Sequence, residues 1–151
     1  MPKKSYRNVN LDHMVMNFAQ LSTAWVSFTI AGTLVVLLAN LFFPQAVVLG
    51  HHMLSPVMGA FYAMAVVSLI AVGVMPVVEY LANQKTVQLT STHWLLLYWV
   101  VNAGAIWLMG RFAELVGMGI DSWVVAVILG LAIDLVQGGL MSNVVSRVKA
   151  G

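Results

Sequence analysis

Four apolar stretches, 18–43, 54–81, 94–111 and 123–145, take up most of this 151-residue chain. A helix needs about 20 apolar residues to cross the hydrocarbon layer of a bilayer, so four crossings are the natural count. With 61% hydrophobic and 8% charged residues, the chain lies far from soluble domains, of which about a quarter is charged. The predicted fold is therefore all-α: a polytopic integral membrane protein, a four-transmembrane-helix bundle forming a single membrane domain over residues 1–151. Little is left outside the helices, so a function has to reside within them or at their mouths.

Charge placement sets the expected orientation. With four crossings both termini share a side, and on it fall Lys3, Lys4, Arg7, Lys85, Arg147 and Lys149, against Arg111 alone on the other. Lys and Arg accumulate in cytoplasmic connections, which predicts a cytoplasmic segment over 1–12, both termini cytoplasmic, and residence in the plasma (inner) membrane. Tyr80, Trp94, Tyr98 and Trp99 then fall near the inner interface, and Phe42, Phe43, Trp107 and Trp123 near the outer one, where amphipathic rings collect. The basic start resembles that of a signal peptide, but the apolar run after it is too long and lacks a small-residue cleavage site, so the first helix is read as retained.

Helix punctuation agrees with these spans. Ser55-Pro56 reads as an N-cap with proline at the first helical position, and the Thr90-Ser91-Thr92 and Asp121-Ser122 pieces can cap the third and fourth helices. Pro44 should end the first. Leu11, Met14, Val15 and Phe18 recur at helical spacing opposite Asp12, His13, Asn17 and Gln20, an amphipathic turn at the start. A shift of 67 positions lays Ser55, Gly59, Ala63 and Ala71 over Ser122, Ala126, Gly130 and Gly138. Each half would be one helical hairpin, and two hairpins in the same orientation make a parallel internal repeat about an axis along the membrane normal. Matches of this kind also arise by chance in so restricted an alphabet.

Ser122, Ala126, Gly130, Asp134, Gly138 and Ser142 follow at intervals of four and so share a helix face. Small residues at that spacing let membrane helices approach closely; Ser55, Gly59 and Ala63 form a lesser version on the second helix. The stripe contains a carboxylate. A central Asp costs about 3 kcal/mol to insert, which about six to ten Leu, Ile or Val residues offset, and ionisable groups at that depth mark ion and proton pathways. Arg111 lies too near its helix end to reach Asp134, whereas Asn102 and Gln137 are at similar depth. Asp134, Asn102 and Gln137 are the candidate midplane polar cluster. It serves either as polar glue between helices or as part of a wet path holding a proton or cation.

Other chemistry finds little footing. Cysteine is absent, which removes thiolate metal sites and nucleophiles. His51 and His52 near Glu114 and Asp121 are a poor metal set, because consecutive side chains diverge and no helical ligand spacing supports them. Arg111 and Glu114, three apart, read as a local helix-end pair. No phosphate loop, nucleophile elbow or zinc motif occurs, so no enzyme activity, cofactor, metal or nucleic-acid partner is expected. The expected partners are the lipid bilayer and a second copy or another membrane protein. The first reading of function is a small oligomeric channel or transporter subunit with a protonatable midplane Asp. The alternative is a structural or accessory subunit that packs through the small-residue face of the fourth helix.

Overall fold

The computed structural model describes residues 18–84 and 90–150, apart from the side chains of 18–20, 79, 83, 91 and 140–150. The segment 1–12, the amphipathic turn before Phe18 and Lys85 lie outside the described residues. The described chain is mostly helical: α1 (Phe18–Phe42), α2 (Pro56–Gln84), α3 (Ser91–Arg111), the single turn α4 (Ala113–Val116) and α5 (Trp123–Ala150), with two short strands, β1 (Val47–Leu49) and β2 (Met118–Ile120). Among the described residues, three helices are long and apolar enough to cross a membrane, over Leu21–Phe42, Pro56–Ala82 and Thr92–Arg111. In α5 the apolar part among the described side chains is Trp123–Gly139, about 25 Å at about 1.5 Å per residue; the rest of the predicted span 123–145 lies where side chains are outside the described residues.

The outward faces of the helices identify their solvent. Val26, Ile30, Leu34 and Leu38 recur every fourth residue on one side of α1 and are each about half exposed. A helix facing water would carry polar side chains there. Three spans with bare aliphatic faces place this protein in contact with a lipid bilayer, as an integral membrane protein.

α1 lies mainly against α2, and α3 mainly against α5; α2–α3 and α1–α5 contacts of similar extent join the two pairs. The result is two helical hairpins side by side. Each hairpin is tied by an indole, Trp25 Nε1 donating to the Ala65 carbonyl at 2.9 Å and Trp99 Nε1 to the Val127 carbonyl at 3.0 Å. The shared core is filled by Val36, Met64, Val67, Ile106, Met118 and Ile133, all fully buried. A smaller cluster of Ala24, Phe28, Val72 and Met75 closes the space between α1 and α2.

The connections between paired helices are not plain loops. β1 and β2 pair antiparallel in the register Val47↔Ile120, Val48↔Gly119 and Leu49↔Met118. Two more bonds flank the ladder, Gly50 N–H to Gly117 O at 2.8 Å and Asp121 N–H to Ala46 O at 3.0 Å. A reading by hydrophobic period sees only helices, because three-residue strands are too short to show an alternation. Their physical cause is backbone satisfaction: two connections at the same end of the bundle carry peptide groups that no helix bonds, and each supplies the other's partners. Gly50 and Gly117 sit at φ of 80° and 74°, where a side chain is strained. Ahead of β1, α1 stops at Phe42, two residues before Pro44. Ser55 then caps α2, its Oγ accepting from Met58 N–H at 3.3 Å, and Thr90 caps α3, its N–H donating to His93 Nδ1 at 3.3 Å.

Candidate functional site

The polar groups of the bundle interior gather at middle depth. Asn102 lies nine residues from the end of α3 at Arg111, about 13 Å along the helix. Asp134 lies eleven residues from the start of α5 at Trp123, about 16 Å along it, and Gln137 is one turn further. What brings these helices together is the absence of a side chain. A Cβ on Gly130 would stand 2.7 Å from Ala103 N and 2.8 Å from Ala103 Cα, so α5 rests on the backbone of α3. Small residues permit that approach in membranes, and it lets the short side chain of Asn102 reach α5.

Asn102 Nδ2 donates to Gln137 Oε1 at 3.0 Å, with both residues buried. One bond does not satisfy two amides. Each carries a carbonyl oxygen and an NH₂ group, and Asn102 Oδ1 and Gln137 Nε2 remain enclosed with no partner among the described residues. Ser68 Oγ, twelve residues into α2, is a third such atom. Thr29 and Thr33 are buried too, but their hydroxyls donate to the carbonyls one turn back, Trp25 O at 2.8 Å and Thr29 O at 2.7 Å.

Asp134 stands between the two α3 contacts of its helix, four residues after Gly130 and three before Gln137, so all three share a face. It is 7% exposed, and no hydrogen bond or ion pair reaches its carboxyl among the described residues. Among the described side chains the one Lys or Arg is Arg111, at the end of α3. The described part of α1 and all of β2 contribute no titratable side chain, and α3 offers His93 and Tyr98 towards one end and Arg111 at the other. The Arg111 guanidinium lies 4.9 Å from the Trp107 ring centroid rather than pairing with Glu114. α3 ends at Arg111 and α4 starts a new axis at Ala113, which breaks the spacing that a helix-end pair requires.

The remaining stripe positions divide. On α5, Ala126 is buried and Ser122 half-buried, whereas a Cβ on Gly138 would meet nothing within 4 Å among the described residues; the Ser142 side chain lies outside them. On α2, Ser55 is exposed at the helix start and Ala63 is fully enclosed. Gly59 rests on the Gly117 backbone, where an added Cβ would overlap Gly117 O and stand 2.9 Å from its carbonyl carbon. His51 and His52 face each other with ring centroids 5.2 Å apart, and no group of three His, Cys, Asp or Glu occurs among the described residues.

Two residues of the layer escape a reading of the sequence. Ser68 is one hydroxyl among many in apolar helices, and its signal is only its depth. Trp99 falls by position in an aromatic belt, but it is half-buried and bonded across to α5.

The amide pair permits a direct test. Asn102→Leu should cost about 1–3 kcal/mol, because it leaves the Gln137 amide wholly unpaired in the interior. The double variant Asn102→Leu/Gln137→Leu should recover most of that loss. Unfolding titrations in micelles read both, and a double variant as weak as the sum of the singles would mean that the pair is not coupled.

No protein-family model, curated protein or solved structure matches the chain.

Proposed function

We propose that this chain is a small channel or transporter subunit, acting as a homo-oligomer, with Asp134 as its protonatable group at mid-membrane. It crosses the plasma (inner) membrane four times with both termini cytoplasmic, as two hairpins of a parallel internal repeat. The observation that carries the reading is a buried acid part-way along an apolar helix, 7% exposed, whose carboxyl has no partner among the described residues. An acid that served as glue would hold a neighbouring helix by a hydrogen bond. Asp134 holds none among the described residues, so its cost is met without a structural return, which is the mark of a group kept for transport.

Oligomerisation follows from size. Close backbone contact within a hairpin, Gly130 on Ala103, and between the hairpins, Gly59 on Gly117, leaves little room for a conduit inside one copy. Copies in a ring enclose one more easily.

A second reading has its own support. The Asn102–Gln137 bond at 3.0 Å is interhelical glue, and the open position at Gly138 offers a close seat for another helix. On this reading the chain is an accessory subunit that docks a membrane partner. Purified protein in liposomes separates the two: transport should depend on Asp134 and fall to the protein-free rate in Asp134→Asn, with assembly unchanged. An inert wild type would favour the accessory reading.

A further inference from the structure

We infer that the species handled at the midplane layer is the proton, passed through water that bridges Asn102 Oδ1 and Gln137 Nε2 beside Asp134. The inference rests on the transport reading above and names its substrate class.

The chemistry of the unpartnered atoms selects between a proton and a metal cation. Beside Asp134 the enclosed pair leaves one acceptor, Asn102 Oδ1, and one donor, Gln137 Nε2. A hard metal cation is held by oxygens, usually six or so. It would meet an N–H dipole pointing at it from Gln137, and it would lack ligands, since Gln137 Oε1 is already accepting from Asn102 Nδ2. Water matches the pair in both senses. It donates to Asn102 Oδ1 and accepts from Gln137 Nε2, and a polar site with such partners is where buried water resides.

A proton needs no coordination shell. One carboxylate binds it: hydronium on one side gives its proton to an Asp134 oxygen and leaves as water, and the neutral acid later returns the proton to water on the other side. No oxidant, metal or second acid is required. Asn102 and Gln137 neither gain nor lose a proton in this cycle; they are positioning residues that hold the water one turn from the carboxyl. Arg111, the one Lys or Arg among the described side chains, lies against Trp107 near the end of α3 and does not neutralise Asp134.

The test reconstitutes the full chain in liposomes that enclose a pH-reporting dye, with parallel vesicles enclosing sodium- or potassium-reporting dyes. The expected result is acidification driven by a pH gradient, no sodium or potassium entry, and loss of proton flux to the protein-free rate in Asp134→Asn. Asn102→Leu/Gln137→Leu removes the donor and acceptor together and leaves Asp134 in place; it should unfold close to the wild-type denaturant concentration yet lose proton flux. Where it fails to assemble, Gln137→Met keeps the side-chain length and removes the amide. Full proton flux in either variant overturns the bridging role. Sodium or potassium flux that depends on Asp134, without acidification, overturns the proton assignment and leaves the transport reading standing. Absence of any flux dependent on Asp134 overturns both.

Discussion

Gly130→Val and Gly59→Val are expected to destabilise the bundle by about 2–3 kcal/mol each, the upper range for overpacking a closed interface. At both positions the obstacle is backbone. The Cβ at Gly130 would lie 2.7 Å from Ala103 N, and that at Gly59 would overlap the Gly117 carbonyl. No rotamer change relieves such a contact, so the helices must separate. Gly117 is constrained twice, by its φ of 74° and by the Gly59 Cα, 2.8 Å from where its own Cβ would stand. Gly138→Ala is the control. With no described residue within 4 Å of the added methyl, it should be neutral or gain up to about 1 kcal/mol from helix propensity. Unfolding titrations in micelles give the comparison, and equal losses at Gly130 and Gly138 would refute the packing described for α3 and α5.

Asp134→Val should have the second large effect, in the opposite direction. Replacing a central acid by an aliphatic residue favours insertion of a membrane helix by about 3 kcal/mol, read as the inserted fraction of the α5 segment in a translocon assay. Folding of the inserted bundle should not suffer, since no bond among the described residues is lost. Valine is a fair choice because Val67 holds the corresponding place at the 67-residue offset, fully buried in α2. Unfolding of Asp134→Val in micelles that fell by about 1 kcal/mol or more, the size of an interhelical hydrogen bond in membranes, would show that the acid is structural. Stability kept and transport lost is the outcome that assigns it to function.

The two effects bear on one feature from opposite sides. The same stripe of α5 carries a glycine packed on the α3 backbone and, one turn later, an acid that holds no hydrogen bond among the described residues. Such a local conflict between stability and residue choice is expected at a functional site.

Membrane class, the approximate extent of three spans and the caps at Ser55 and Thr90 were legible in the sequence. These depend on interactions within about twenty neighbouring residues: an apolar run of the right length, a proline after Phe42, a serine before Pro56. The polar residues of the layer were visible by depth, since Asn102, Asp134 and Gln137 all stand well inside their helices, about 13, 16 and 21 Å from the same end of the bundle. The bond between them was not. It depends on how closely α3 and α5 approach, and that is set by Gly130 meeting Ala103, residues remote from each other in the chain.

The β1–β2 pair, the turn of Arg111 onto Trp107, and the division of the α5 stripe into a packed part at Gly130 and an open one at Gly138 also belong to the tertiary structure. Hydrophobic periodicity records which residues avoid water, and in a bilayer nearly every side chain of a helix does so. It therefore fixes that these segments are helices in lipid and says little about which face meets which neighbour. Contact at one glycine and the matching of unbonded backbone between two connections decided that, because close approach and hydrogen-bond satisfaction exist only once distant segments are in place.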